Sequence, residues 1–161
     1  MNMLYTVGIS DMAAVKSPDT LVTYALGSCV GICLYDEYAH IAGLSHIMLP
    51  NSRLSNIPGQ IGKFADTAPI LLIQKMAQLG ANPNFLKAKI AGGAKMFTLP
   101  DSTAVGNIGQ RNVEAVKTAL AALRIPIVAE DTGLNYGRTV YFDADTFTMR
   151  IKSTTHGEKC L

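Results

Sequence analysis

A cysteine at a predicted turn and a histidine in the second apolar run after it are the residues of this chain best suited to chemistry. Cys29 follows Gly27 and Ser28 between two apolar, strand-like runs, and His46 lies one predicted hairpin away. A thiol held at a turn, with an imidazole base within reach, is the arrangement that nucleophilic catalysis on an acyl group requires. Backbone amides at such a turn can lower the thiol pKa and bind an oxyanion. The pattern therefore predicts catalysis through Cys29.

Whether the thiol and the imidazole can meet depends on how the strands around them pair. Residues 30–36 and 41–48 are predicted strands joined by a short loop. If the end of the first strand faces the start of the second, Gly31 faces His46, and Cys29 becomes the diagonal neighbour of His46 on the same face. Diagonal neighbours are about 7–8 Å apart at Cα, so the side chains can meet. A register shifted by one residue places them on opposite faces, so the spacing permits the pair without requiring it.

Both residues also have an interpretation that involves no chemistry. Free cysteines are among the most buried residue types, so Cys29 could be a small apolar core residue. His46 lies in an apolar run and could be a hydrogen-bonded core histidine. His40 and His156 fall in a predicted loop and in a polar tail, where we expect them to be solvated.

The remaining cysteines and glycines predict neither a metal site nor a cofactor site. On a strand, Cys29 and Cys33 are separated by roughly 13 Å, at about 3.3 Å a residue. That separation is too long for a disulfide or for shared ligation of one zinc ion. We expect Cys33 in the core and Cys160 exposed near the end of the chain. Gly92 and Gly93 have neither phosphate-loop nor dinucleotide-binding spacing, and close backbone packing explains them better.

Composition sets the class of protein. The 161 residues are 48% hydrophobic and 16% charged, which is typical of a compact fold and argues against disorder. The net charge of +2 comes from scattered basic residues, so nothing indicates nucleic-acid binding. No apolar run approaches the roughly 18 residues of a membrane span. Three cysteines and a start without signal-peptide features predict a cytoplasmic protein with reduced thiols.

The elements that must position these residues are mostly strands. We expect a single domain over residues 1–161, because no repeat or linker divides the chain. Apart from the hairpin, strands are predicted at 4–9, 12–15, 21–26, 86–91, 125–130, 139–142 and 146–152. Helices are predicted at 64–79, where Pro69 should kink or delay the helix, and at 107–123. Together they predict an α+β fold, an α/β/α-type sandwich with a mixed, largely antiparallel sheet built from hairpins and with helices packed on its faces.

Several ordered motifs lie along nearly the whole chain. They are Thr23, Gly27-Ser28-Cys29-Val30, His46-Ile47-Met48-Leu49-Pro50, Lys63-Phe64-Ala65-Asp66-Thr67-Ala68, Ala88-Lys89-Ile90-Ala91-Gly92-Gly93-Ala94, Ile108-Gly109-Gln110-Arg111-Asn112-Val113, Val128-Ala129-Glu130-Asp131-Thr132-Gly133 and Gly137-Arg138. Together these motifs resemble one family, the chemoreceptor glutamine deamidases of bacterial chemotaxis (the CheD family). Ala25 and Phe64 depart from the resemblance, since glycine and tyrosine are usual at those places.

The resemblance implies a protein-glutamine glutaminase. It implies that glutamine side chains on the cytoplasmic helices of methyl-accepting chemoreceptors become glutamate with release of ammonia, and that glutamyl methyl esters can also be hydrolysed. It implies Cys29 as nucleophile, His46 as base and Thr23 as the residue that orients His46, with Gly27 and Ser28 as backbone support. No cofactor is expected. A chemotaxis phosphatase of the CheC type is a possible partner, and a regulatory module that binds receptor and phosphatase, with catalysis secondary, is the alternative function. An unrelated thiol hydrolase acting on a small amide is a third interpretation.

Overall fold

Two five-stranded sheets and two helices make up the described part of the chain. The computed structural model describes residues 2–55, 57–97 and 107–161. Within these residues neither helix is long and apolar enough to cross a membrane. The strands are β1 Leu4–Thr6, β2 Met12–Lys16, β3 Thr20–Leu26, β4 Val30–Asp36, β5 Ile41–Ile47, β6 Lys87–Gly92, β7 Ile127–Thr132, β8 Arg138–Asp143, β9 Met149–Ser153 and β10 Gly157–Cys160, and the helices are α1 Ala68–Gln78 and α2 Ile108–Ala122.

The sheets pack face to face, and both helices cover the outer face of one of them. The first sheet has the order β1-β3-β8-β9-β10 and the second the order β2-β5-β4-β6-β7. One core lies between the sheets, with Cys33, Leu44 and Phe142 in it. A second core, with Ile32 and Leu72, lies between the second sheet and the helices. The predicted α+β sandwich of mixed, largely antiparallel strands is confirmed. Its layers are in the order sheet, sheet, helices rather than α/β/α, because the strands form two sheets and the inner face of the second sheet is covered by the first sheet instead of by a helix.

The central hairpin of the second sheet has the predicted register. Asp36 pairs with Ile41 and Gly31 pairs with His46. Every residue of β4 and β5 is buried, because one sheet face meets the other sheet and the opposite face meets the helices. Even-numbered residues of β5 therefore point into the core between the sheets, and His46 is one of them.

The ends of the elements follow local sequence signals only in part. Strand β7 lies two residues later than predicted, and β9 begins three residues later, at Met149. Helix α1 begins at Ala68, so that Pro69 stands in its first turn, where the missing N–H costs no helical hydrogen bond. The predicted delay of this helix is thus confirmed. Strand β1 ends three residues earlier than predicted, at Thr6. The predicted polar tail instead contains β10, an exposed edge strand paired with β9, which the sequence does not indicate because all its side chains face solvent.

A bulge in β3 explains why glycine would suit position 25. The pairing of β3 with β8 shifts between Thr23 and Leu26, and Ala25 within this bulge has a φ of 59°. This left-handed conformation places a Cβ close to the carbonyl oxygen that follows it, at a cost of about 1–2 kcal/mol for a non-glycine residue.

We expect Ala25→Gly to raise the free energy of unfolding by about 0.5–1 kcal/mol, because relief of the backbone strain exceeds the extra entropy of an unfolded glycine. Ala25 is exposed, so the substitution removes no core packing. Urea denaturation measures the change. In Ala77→Gly, at an exposed helical position, the same loss of a methyl group should lower stability. A destabilised Ala25→Gly variant would contradict the strain.

Candidate active site

His46 is held by its backbone and is completely buried. Its N–H donates to the Asp11 carbonyl at 3.1 Å, and its own carbonyl accepts from the Ser10 N–H at 2.9 Å. Both partners belong to the turn that precedes β2, so the strand position of His46 is fixed from two sides. The side chain has 0% of its surface exposed and lies between the two sheets.

Thr23 approaches the imidazole from the opposite sheet. Its hydroxyl oxygen lies 2.7 Å from His46 Nδ1 and 2.7 Å from the carbonyl oxygen of Val7. A carbonyl oxygen only accepts, so the single hydroxyl proton of Thr23 goes to Val7. The hydroxyl oxygen must then accept a proton from Nδ1. This chain of two hydrogen bonds selects the Nδ1–H tautomer and leaves the lone pair on Nε2.

The absence of a side chain at Gly31 allows this approach. A Cβ at Gly31 would lie 3.2 Å from Leu26 Cδ1 and 3.8 Å from Thr23 Cγ2. Gly31 is also the residue paired with His46 across the hairpin. A Cβ here would require the Leu26 side chain to move by a few tenths of an ångström and would be in ordinary van der Waals contact with Thr23, so the glycine leaves room for close packing of β3 on β5.

Cys29 lies on the same side of the second sheet as His46. It is the residue before β4, is half-buried, and packs against the core between the sheets. Nε2 of His46 is buried and has no hydrogen-bond partner among the described residues. The structure thus brings Thr23 and His46 into direct contact, and it places the Cys29 thiol on their side of the sheet without a hydrogen bond to the ring.

Burial favours the neutral form of both groups. Desolvation lowers the pKa of His46 to about 4, from an ordinary value of 6.5. Desolvation also raises the pKa of the Cys29 thiol, and the N–H of Cys29 itself opposes this increase. At neutral pH the resting pair is therefore a thiol and a neutral imidazole, in which Nε2 is ready to accept a proton.

The carbonyl groups of Gly27, Ser28 and Cys29 are all engaged by the interior. The three hydrogen bonds are Ala94 N–H to Gly27 O at 2.8 Å, Asn112 Nδ2 to Ser28 O at 2.9 Å, and Gly93 N–H to Cys29 O at 2.8 Å. In a trans peptide the next N–H points opposite to the carbonyl. The N–H groups of Ser28 and Cys29 thus point away from these interior donors.

Glycines bring the supporting segment close to the cysteine turn. Gly92 and Gly93 have φ values of 112° and 68°, which glycine adopts without strain. A Cβ at Gly92 would collide with the Cys29 carbonyl oxygen, and a Cβ at Gly93 would lie 2.9 Å from the Gly109 carbonyl oxygen. The expected role of this glycine pair in close backbone packing is confirmed.

Apolar side chains border the turn on its outer side. Met96 and Phe97 are 45% and 71% exposed, and they line a cavity of about 70 Å³ together with Ser28 and Gly109. The cavity therefore borders Ser28, the residue before Cys29.

The other cysteines and histidines lie outside this site. Cys33 is fully buried in the core and Cys160 is exposed on β10, as expected. His40 and His156 are exposed, and His156 stacks on Tyr136 with ring centroids 3.8 Å apart.

Two other polar residues near the site were not identified from the sequence as residues with a role. Asp131 on β7 binds Arg138 on β8 at 2.9 Å, and this buried ion pair joins the two sheets. Asn112 on α2 binds the cysteine turn. Asn112 acts on residues 64 and 84 positions away in sequence. Asp131 and Arg138 are seven residues apart but belong to different sheets, and no local pattern reveals either contact.

The buried neutral imidazole should make stability depend on pH. As pH falls, the unfolded chain takes up a proton near pH 6.5 and the folded chain only near pH 4. Stability present above pH 6.5 is therefore lost between about pH 6.5 and pH 4. We expect the unfolding free energy of the wild type to fall by roughly 2–3 kcal/mol more than that of His46→Gln over this interval. Urea titrations at both ends measure it, with exposed His40→Gln as the control that keeps the wild-type slope. Equal slopes for His46→Gln and wild type would contradict the burial effect.

Known proteins match this chain over nearly its whole length. Residues 48–153 match the family model described as CheD chemotactic sensory transduction. A probable chemoreceptor glutamine deamidase CheD of Lachnoclostridium phytofermentans is 46% identical over 159 residues, 99% of each chain. Proteins with the same description in Caldanaerobacter subterraneus and Clostridium botulinum are 50% and 51% identical, over 95% of this chain and 94% of theirs. The crystal structure of the Bacillus licheniformis hypothetical protein YfiH superposes with a TM-score of 0.48 at 14% identity, over 78% of this chain and 51% of that one. By its family match and its relatives, this chain belongs to the CheD family.

Proposed function

We propose that this protein hydrolyses the side-chain amide of glutamines on the cytoplasmic helices of chemoreceptors, releasing ammonia and leaving glutamate. Its relatives carry the description of chemoreceptor glutamine deamidase. The observation that carries the proposal is the buried His46, on the face of the sheet where Cys29 also lies. Its Nδ1 is engaged by Thr23, and its Nε2 has no hydrogen-bond partner among the described residues. A cytoplasmic location follows from the substrate.

The proposed reaction begins with proton transfer from Cys29 to His46. Nε2 takes the Sγ–H proton as sulfur attacks the carboxamide carbon, and the carbonyl oxygen becomes an oxyanion. In this proposal the N–H groups of Ser28 and Cys29 donate to that oxyanion, a role supported by the engagement of the Gly27 and Ser28 carbonyl groups on the opposite side. The C–N bond then breaks, and Nε2–H returns its proton to the nitrogen, which leaves as ammonia. The product of this half-reaction is a thioester on Cys29.

Water completes the cycle. Nε2 removes a proton from water, whose oxygen attacks the thioester carbon, and the C–S bond breaks to give glutamate. The proton held on His46 returns to the sulfur. The overall reaction consumes one amide and one water, so the mechanism gives no role to a cofactor or a metal.

The neutral resting state supports a general-base mechanism rather than a preformed ion pair. Burial works against both the thiolate and the imidazolium. The hydroxyl of Thr23 is uncharged, so it stabilises a developing imidazolium less than a carboxylate would. Its contribution is to hold the ring and its tautomer, and this contribution grows as positive charge develops on His46.

A binding partner of the phosphatase type is a second part of the proposal. Met96 and Phe97 are exposed beside Ser28 and form the rim of the cysteine turn. This rim is an apolar surface that suits a receptor helix. A CheC-type phosphatase that occupied the same rim would compete with receptors. A module that only binds would have no need of a buried histidine with a defined tautomer, and for this reason we favour the enzyme.

Cys29→Ala should abolish deamidation of a receptor cytoplasmic fragment, because it removes the nucleophile. Mass spectrometry of receptor peptides measures the gain of one dalton at each glutamine. Cys33→Ala is the matched control, since it removes a thiol from the core of the same protein and should keep activity. Full activity of Cys29→Ala would exclude the thioester. An inactive wild-type protein that binds the receptor fragment would favour the regulatory module.

Thr23→Val keeps the β-branched shape and removes the acceptor for Nδ1–H. We expect kcat to fall by about 10–100-fold while KM changes little. This is less than the roughly 10²–10⁴-fold that a positioned acid–base group itself contributes, because Thr23 only orients His46. Steady-state kinetics on the receptor fragment separates the two constants. An unchanged kcat would reduce the catalytic set to Cys29 and His46.

A further inference from the structure

Asn112 links the segment that carries Cys29 to the segment that carries His46. Its side-chain nitrogen lies 2.9 Å from the Ser28 carbonyl oxygen and 2.9 Å from the Met48 carbonyl oxygen. Ser28 directly precedes Cys29, and Met48 follows β5 two residues after His46. Both acceptors are carbonyl oxygens, which do not donate, so the amide nitrogen and not the oxygen must face them.

The position of Asn112 is costly for a residue with only a packing role. The side chain is fully buried, and its Oδ1 has no hydrogen-bond partner among the described residues. A buried polar atom without a partner destabilises the fold, and an apolar side chain of similar volume would avoid that cost. Only the two Nδ2 hydrogen bonds offset it, and both of them are made to the cysteine and histidine segments.

The hydrogen bond to Ser28 sets the direction of the N–H of Cys29. The peptide between Ser28 and Cys29 is trans, so drawing the carbonyl toward α2 turns the N–H to the opposite side. That N–H lowers the pKa of the Cys29 thiol, against the larger effect of desolvation. When this sulfur attacks the carboxamide carbon, the oxyanion that forms would thus be next to the N–H that Asn112 has oriented.

Helix α2 is itself held close to the turn. Gly109, one helical turn before Asn112, lies so near the Gly93-Ala94 backbone that a Cβ would be 2.5 Å from both carbonyl oxygens. The same two residues donate their N–H groups to Cys29 and Gly27. The cysteine turn is therefore bound from two neighbouring elements that also bind each other.

We propose that Asn112 is a positioning residue for amide hydrolysis: it fixes the Ser28–Cys29 peptide so that the Cys29 N–H faces the oxyanion, and it ties that peptide to the end of the His46 strand. This inference rests on the proposed function of Cys29 as nucleophile. Asn112 does not touch the substrate; it acts through the peptide that it holds.

Two substitutions separate positioning from packing. Asn112→Leu removes both donors at similar volume, and we expect kcat to fall by about 10–100-fold with KM within about twofold, as for a misplaced catalytic group. In Asn112→Asp the carboxyl group is buried beside two carbonyl oxygens, and only its protonated form can donate. Its kcat relative to the wild type should therefore rise as pH is lowered from about 8 to about 6, whereas the Asn112→Leu ratio should stay flat.

The control is Gln110→Leu, which removes an exposed amide from the same helix and should leave kcat unchanged. Circular dichroism and thermal melts establish that each variant is folded before kinetics. If both Asn112 variants are folded and keep the wild-type kcat, or if the Asn112→Asp ratio is flat with pH, the positioning role is overturned.

A measurement on the wild type covers the case in which the variants do not fold. Hydrogen exchange followed by NMR should show that the Asn112 side-chain N–H₂ protons exchange far more slowly than those of exposed Gln110. Exchange of Asn112 at the rate of a free amide would overturn the proposal. Loss of activity in Cys29→Ala with normal activity in the Asn112 variants would refute only the positioning role, whereas full activity in Cys29→Ala would refute the proposed function itself.

Discussion

The hydrogen bond between Thr23 and His46 is the interaction on which the arrangement of the site depends. The two residues belong to different sheets, so the 2.7 Å distance exists only in one relative placement of those sheets. Because Thr23 also donates to Val7, the bond has a direction and selects the tautomer of the imidazole. The packing of the two sheets therefore also determines that Nε2 is the ring nitrogen with the free lone pair.

Burial determines the charge state of His46 and Cys29. A buried imidazole is held neutral, and its pKa falls to about 4; a buried thiol is likewise held protonated. The resting pair of Cys29 and His46 is therefore uncharged, and charge appears on it only during attack on a substrate. Fixed donors around the turn matter more under these conditions, because electrostatic interactions are stronger where water is excluded.

Local signals in the sequence were sufficient for the parts of the fold that are local in sequence. The β4–β5 hairpin has the register that its short loop permitted without requiring, and the start of α1 follows from Pro69. The contact of Thr23 with His46 was expected from family resemblance, while its donor direction required the position of Val7. Asn112 lies in one of the motifs that resemble the family, but its role depends on two carbonyl groups in distant segments. The edge strand β10 has no buried face and so leaves no periodic pattern.

The tautomer of His46 is the most direct measure of this account. Nitrogen NMR of ring-labelled histidine near pH 7 reports the protonation of each ring nitrogen separately. The account predicts a neutral ring with the proton on Nδ1 and an unprotonated Nε2, and it predicts loss of that preference in Thr23→Val. A ring protonated on Nε2, or a charged imidazolium at this pH, would contradict it, because neither form can accept the proton of Cys29.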